Sequence, residues 1–291
     1  LNQHCALKLA SPGAAATGPA ADALARAVAV VGETLVGVVA FGSWARGEMA
    51  AGSDVDLLVI VGEEVRLERE LYRRWDALPV RWNGHPVEPH FVHLPDREDR
   101  VSGLWAEAAL DGVVLFEGAL TVSRWLVLVR RRIAAGSLVR QRSYGQPYWV
   151  GRPEMRSPDL ARDYIGRARV RLRALDVLFE GESGADVVRE SQEIVELTLK
   201  ALLRSWGIDP PRVHDVSDVL LAERDRLPQA LGPELGALLD ASRQLRRARE
   251  LAFYGAEDLT PSGFYSRDDA ERARSSARST VEVVEPHVLE G

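Results

Sequence analysis

Short apolar runs alternate with polar turns through the first half of the chain. Residues 22–31 have the apolar spacing of a helix that ends at Gly32, and the apolar run over residues 36–41 predicts a buried strand. After a short polar segment, residues 54–61 begin with two aspartates and continue as an apolar second strand. The pattern therefore predicts two buried strands, with carboxylates at the start of the second.

A β-ribbon and further helices are predicted for the next part of the chain. Alternation over residues 80–94 predicts a ribbon with a hairpin turn at Asn83-Gly84 and an edge or bulge position at Pro89. A turn, a short strand and a second turn are predicted over residues 111–118. Apolar spacing predicts helices over residues 63–78, 96–110 and 119–135.

From residue 158 onward every long segment has the spacing of a helix. The predicted helices cover residues 159–179, 185–206, 214–227, 231–254 and 267–288. Successive helices joined by short loops predict an up-and-down helical bundle. The predicted fold class is α+β, with a mixed sheet flanked by helices followed by an all-α bundle.

Changes in composition set the predicted domain boundaries. Residues 1–19 are rich in Ala, Gly and Pro and are predicted to be disordered. Residues 20–136 form the domain that contains the sheet, and residues 159–291 form the bundle. Residues 137–158, which are rich in Gly, Pro and Arg, are predicted to be a linker between them.

Asp54 and Asp56 are the first candidates for chemistry. Residues two apart in a strand point to the same face, so these carboxylates are predicted to lie side by side. Two like charges on an apolar strand are costly unless a cation neutralises them, and Mg²⁺ accepts one or two carboxylates together with substrate phosphates. The Gly42-Ser43 turn before a helix-compatible segment favours an anion such as phosphate. Together these features indicate a nucleoside triphosphate with Mg²⁺, whereas two solvated aspartates are the simpler alternative.

Two motifs resemble the signature of the polymerase-beta-type nucleotidyltransferases: GSWARG at residues 42–47 and SDVDLLV at residues 53–59. The chain looks most like the minimal nucleotidyltransferases and the antibiotic adenylyltransferases of the kanamycin-nucleotidyltransferase type. The resemblance implies that Mg²⁺ is bound by Asp54, Asp56 and Glu88. It also implies that the nucleotide is bound by Gly42, Ser43, Arg46 and Ser53.

Glu88 lies on the second arm of the predicted ribbon, where it is consistent with the third carboxylate of that family. A surface glutamate beside the Pro89 kink is the alternative. His90 is predicted to lie on the same face of the strand. A contact with substrate or a phosphate stays open for it, whereas a structural role is the simpler interpretation. The sequence assigns no role to His85 or His93.

The helical half resembles the HEPN domain, which often accompanies minimal nucleotidyltransferases. The resemblance rests on SQEIVELTLKALL at residues 191–203, on His214-Asp215 and on the stretch over residues 254–270. HEPN ribonucleases carry an arginine and a histidine that are separated by four to six residues. Here Tyr254 stands where the histidine after Arg249 would fall, so ribonuclease activity is not expected.

The resemblances imply an enzyme that transfers a nucleoside monophosphate, with AMP favoured, from an NTP to a hydroxyl of a small molecule such as an aminoglycoside, releasing pyrophosphate. The general base is assigned to Glu193 or Glu196 of the helical domain, although a solvated helix face is the simpler interpretation of each. Two alternatives stay open. One is a toxin–antitoxin-type nucleotidyltransferase that modifies a protein tyrosine or an RNA, and the other is a non-catalytic nucleotide-binding scaffold.

Composition narrows the expected partners and location. The 291 residues carry a net charge of −6, which argues against bulk electrostatic binding of nucleic acid but leaves a local basic groove open. The single cysteine, Cys5, excludes a disulfide framework or a cysteine-based metal site. No apolar run suits a membrane span and the N-terminus lacks the order of a signal peptide, so a cytoplasmic location is expected. The expected partners are an NTP and a small acceptor, and a homodimer stays open.

Overall fold

The computed structural model describes residues 19–96, 101–151, 156–254 and 260–289. The chain divides into two compact units, residues 1–138 and 139–291. The segment predicted to be disordered, residues 1–19, lies outside the described residues except for Pro19. Each unit has its own buried apolar cluster.

Within the described residues, the first unit is a five-stranded mixed sheet with helices. Its strands are β1 (Leu35–Phe41), β2 (Val55–Val61), β3 (Arg81–Trp82), β4 (His85–His93) and β5 (Val113–Glu117). Its helices are α1 (Pro19–Val31), α2 (Gly42–Arg46), α3 (Arg69–Asp76), α4 (Gly103–Asp111) and α5 (Thr121–Ala134). The strand order is β3-β4-β2-β1-β5, in which β2 and β4 are parallel and the other neighbours are antiparallel. The predicted mixed sheet is therefore confirmed.

Both faces of β2 are buried, which explains why its sequence is almost continuously apolar. Leu57 and Val59 belong to a buried cluster that includes Trp75 of α3 and residues of α1. Leu58 and Ile60 point to the opposite face and are also fully buried. A strand covered on both sides is held firmly in register, because a slip would expose apolar side chains to water.

Two local predictions in this unit have different outcomes. The hairpin turn at Asn83-Gly84 is confirmed, because both residues have positive φ angles, 51° and 88°, and β3 pairs antiparallel with β4. The helix predicted over residues 63–78 is too long, because α3 begins at Arg69. Leu67 is 44% exposed, so an earlier turn of helix would gain little burial.

The second unit is a helical bundle with a small sheet beside it. Its helices are α6 (Pro158–Glu180), α7 (Gly184–Ser205), α8 (Ser217–Ala222), α9 (Leu235–Tyr254), α10 (Pro261–Phe264) and α11 (Arg267–Leu289). α7 contacts α6, α9 and α11, and its residues Ile194, Leu199 and Leu202 are fully buried. The predicted helical bundle is confirmed, and with it the α+β fold class.

The segment predicted to be a linker, residues 137–158, contains a β-hairpin that the sequence analysis did not predict. β6 (Leu138–Ser143) and β7 (Gln146–Gly151) are neighbours in a sheet with β8 (Ile208–Asp209). Tyr148, Trp149 and Val150 of β7 are buried. Since Val150 pairs with Ile208, this apolar run belongs to the structure of the second unit.

Candidate active site

The carboxylates predicted from the sequence lie near the end of the first unit's sheet at which β1 ends and β2 begins. Asp54 immediately precedes β2, and Asp56 is the second residue of that strand. The parallel pairing of β2 with β4 places Asp56 opposite Glu88, on strands about 4.8 Å apart. On its other side, Asp56 pairs with Phe41, the last residue of β1. Asp56 and Glu88 therefore share one face of the sheet, and Asp54 lies just before β2, two residues from Asp56.

Gly42 follows Phe41 and lies against the carboxylate of Asp56. Its φ angle is +74°, a left-handed conformation that residues with a side chain rarely adopt. A Cβ at this position would overlap Oδ2 of Asp56. The glycine therefore allows the chain to turn out of β1 directly beside an aspartate of the predicted metal site.

The helical turn that follows Gly42 is short. α2 has five residues, and just beyond its end the N–H of Glu48 donates to the carbonyl oxygen of Ser43 at 2.9 Å. A helix of this length has a small macrodipole. A phosphate at this turn would therefore depend on the first N–H groups, which lack partners within the helix, and on the Ser43 hydroxyl.

Arg46, at the end of α2, is held by acidic side chains. Its Nε donates to Glu48 at 2.7 Å, and its Nη1 donates to Asp111 at 3.3 Å and lies 3.9 Å from Glu107. Burial lowers the pKa of Arg46, but the hydrogen bonds and charges of Glu48 and Asp111 outweigh this effect and raise the pKa. The arginine links α2 to α4, and its predicted contact with the nucleotide stays a prediction.

Ser53 and His85 fix the segment that leads into Asp54. The hydroxyl of Ser53 accepts a hydrogen bond from the N–H of Ala50 at 2.9 Å. Nδ1 of His85 lies 2.9 Å from the carbonyl oxygen of Ser53, and because that oxygen can only accept, Nδ1 carries the proton. The sequence assigned no role to His85, because this contact depends on how β4 aligns with β2. Direct binding of nucleotide by Ser53 stays a prediction.

The donor set suits a hard divalent cation whose coordination is completed by the nucleotide. Asp54 and Glu88 are exposed, and Asp56 is partly buried. Among the described residues, no group of three or more His, Cys, Asp or Glu side chains could hold a metal ion by itself. Mg²⁺ commonly takes one or two protein carboxylates and completes its shell with water and substrate phosphates. These carboxylates therefore fit an ion bound together with NTP better than a preformed cage.

Glu196, one of the two predicted general bases, lies on α7 in the second unit and is firmly held. The donors to its carboxylate are Lys200 at 2.7 Å, Gln192 at 2.9 Å and His214 Nδ1 at 2.9 Å. Burial raises the pKa of Glu196, but these three partners outweigh burial, so the pKa is lowered. A carboxylate held in this way suits a structural ion pair better than a proton acceptor.

Glu193, the other predicted base, is held more loosely. Its carboxylate oxygens lie 3.8 Å from Arg171 and 3.9 Å from Arg249, and 38% of its side chain is exposed. Arg249 is also the residue that would begin the arginine–histidine pair of a HEPN ribonuclease. The role of either glutamate in the first unit's chemistry stays a prediction.

Comparisons with known families agree with these two units. A family model described as "Nucleotidyltransferase domain" matches residues 26–102, and one described as "HEPN domain" matches residues 161–287. The chain therefore joins a nucleotidyltransferase domain to a HEPN domain, which confirms the predicted fusion and the predicted enzyme class.

Comparisons with individual proteins add little. No match is found among curated proteins. A solved structure titled "Crystal structure of the toxin-antitoxin with AMP-PNP" is 16% identical, over 40% of this chain and 88% of that chain, with a TM-score of 0.30. In the described part of the chain, no helix combines the length and the apolar character that crossing a membrane requires.

Gly42→Ala tests the close approach to Asp56. We expect this substitution to lower NTP-dependent pyrophosphate release by about 100-fold, because the new methyl group must displace the Asp56 carboxylate or the turn. Gly52→Ala in the following loop is the matched control, since no atom lies within 4 Å of the added Cβ. A Gly42→Ala protein that folds and keeps the wild-type rate would contradict a role of the Gly42 turn and the Asp56 carboxylate in the reaction.

Glu196→Gln tests whether this glutamate is structural. We expect the free energy of unfolding to fall by about 1–3 kcal/mol at neutral pH, because the charged acceptor of three hydrogen bonds is lost. The folded-state pKa is lowered, so the stabilisation is complete above the unfolded pKa of about 4.3 and is lost as pH falls through the folded value. Urea unfolding should therefore show that the difference in the free energy of unfolding between wild type and Glu196→Gln becomes smaller at acidic pH. Glu180→Gln, an exposed change on α6, should be neutral throughout.

Proposed function

We propose that the chain is a Mg²⁺-dependent enzyme that transfers a nucleoside monophosphate, preferably AMP, from an NTP to a hydroxyl of a small molecule such as an aminoglycoside. The observation that carries the proposal is the pairing of Asp56 with Glu88 on adjacent parallel strands, beside the Gly42 turn. Carboxylates suit the metal ion, and the first N–H groups of a helical turn, which lack partners within the helix, suit the phosphates of a metal-bound triphosphate. The nucleotidyltransferase domain match supports the reaction class.

In this proposal the residues at the sheet edge act by binding and orientation. Asp54, Asp56 and Glu88 hold the ion, which supplies charge neutralisation at the phosphates when it is bound. The Gly42-Ser43 turn holds the β- and γ-phosphates. The acceptor oxygen attacks the α-phosphorus in line, the bond from that phosphorus to the bridging oxygen breaks, and pyrophosphate leaves.

The acceptor hydroxyl must lose its proton to a base. Of the two glutamates predicted for this role, Glu193 is the better candidate, because its nearest cations lie 3.8 and 3.9 Å away. Glu196 already accepts three hydrogen bonds of 2.7–2.9 Å. We therefore assign the base to Glu193 within the proposal.

The HEPN domain is also compatible with a second class of acceptor, a protein or an RNA. HEPN domains often occur beside minimal nucleotidyltransferases, and this one lacks the arginine–histidine spacing of the ribonucleases. A protein tyrosine or an RNA end would then receive the nucleotide, as in a toxin–antitoxin system. A cytoplasmic location completes the proposal, and a homodimer stays open.

Asp54→Asn and Asp56→Asn test the proposed metal carboxylates. We expect each to lower NTP-dependent pyrophosphate release by more than about 100-fold, because a neutral amide cannot replace a carboxylate ligand to Mg²⁺. Asp76→Asn, an exposed change on α3 of the same unit, serves as the control and should keep the wild-type rate. Full activity in either variant would refute the site.

The acceptor class can be identified by following labelled NTP. We expect pyrophosphate release with ATP and an aminoglycoside panel to depend on the drug, and the label to appear on that drug. Label found on protein or RNA instead would favour the toxin–antitoxin alternative. If the protein binds nucleotide but shows no turnover with any acceptor, the result would favour the non-catalytic scaffold.

A further inference from the structure

His90 on β4 contacts the central carboxylate of the proposed metal site. Its Nε2 lies 3.3 Å from Oδ1 of Asp56, and the two side chains are 25% and 31% exposed. The other oxygen, Oδ2, is the one that approaches Gly42. Both oxygens of this carboxylate therefore have a neighbour that restricts where they lie.

The histidine ring is itself held in place. Its centroid lies 5.7 Å from the ring of Phe41, which is 4% exposed, and the two planes are tilted by 52°. Backbone pairing with Leu58 of β2 fixes the position of His90 along the sheet. A side chain on a strand with a packed ring is a more precise support than a side chain on a loop.

We propose that His90 is a positioning residue, which holds the Asp56 carboxylate in the orientation that binds the metal–nucleotide complex; this inference rests on the proposed function. An ionised carboxylate only accepts, so Nε2 of His90 carries the donated proton. One hydrogen bond leaves further lone pairs on the same carboxylate, so this support does not block an ion.

The other two histidines of β4 bind backbone carbonyl oxygens, in contrast to His90. His85 donates to the backbone of Ser53, and Nε2 of His93 donates to the carbonyl oxygen of Val65 at 2.8 Å. Neither contact involves a carboxylate. His93 lies three residues beyond His90 on the same strand, about 10 Å away, and it provides a matched control for the loss of one histidine hydrogen bond.

The test measures binding of Mn²⁺ by electron paramagnetic resonance, in the presence of a non-hydrolysable ATP analogue. His90→Phe keeps a ring beside Phe41 but removes the donor, so we expect Mn²⁺ affinity to fall by about 10- to 100-fold. In His90→Gln the amide N–H replaces Nε2–H, so affinity should return to within about threefold of the wild type. His93→Phe should leave the affinity unchanged.

Two results would overturn the inference. One is wild-type affinity in a folded His90→Phe protein, and the other is a His90→Gln protein as weak as His90→Phe, which would reduce the effect to packing. If His90→Phe does not fold, His90→Asn, whose amide is too short to replace Nε2, takes its place with the same expectation.

Binding and turnover separate this inference from the proposed function. Wild-type protein that binds Mn²⁺ with the analogue but releases no pyrophosphate with any acceptor refutes the proposed reaction. The dependence of binding on His90 then still supports the positioning role. Wild-type protein that binds no Mn²⁺ with the analogue overturns both.

Discussion

The parallel pairing of β2 with β4 is the constraint on which the site depends. It places Asp56 opposite Glu88, although a helix and the first strand of a hairpin lie between the two residues in sequence. Both side chains are acidic, so attraction between them cannot bring them together. The apolar remainder of β2, buried on both faces, holds the strand in register and so keeps the carboxylates together. Core packing therefore determines where these acidic side chains lie.

The second unit uses one helix in a comparable way. α7 buries one side in the bundle, and its polar side carries ion pairs such as Glu190 with Arg171 and Glu196 with Lys200. These contacts hold partly exposed charged side chains in fixed positions. The acidic residues of α7 therefore serve as partners in ion pairs, and the base role of Glu196 stays a prediction.

The sequence predicted those parts of the structure whose signals are local. The hairpin at Asn83-Gly84 was read from a dipeptide, and the aspartates were read from their place at the start of an apolar run. The hairpin in residues 138–151 was missed, because its buried residues are interspersed with Arg and Gly and its partner strand at Ile208 is distant in sequence. The contacts of His85 and His90 were missed for a related reason. They arise from strand register, which no short segment of sequence contains.

Polar and apolar side chains alternate along β4, so the candidate active site forms only when this strand pairs with β2 in the correct register. Glu88 and His90 occupy one face of this strand, while Val87 and Phe91 on the other face are buried. A slip of one residue against β2 would turn both polar side chains away from Asp56 and bring the apolar ones to it. A molecule with that error would lose the site and much of its core in the same event. Burial of the apolar face of β4 therefore favours the one strand register that also brings Glu88 and His90 to Asp56.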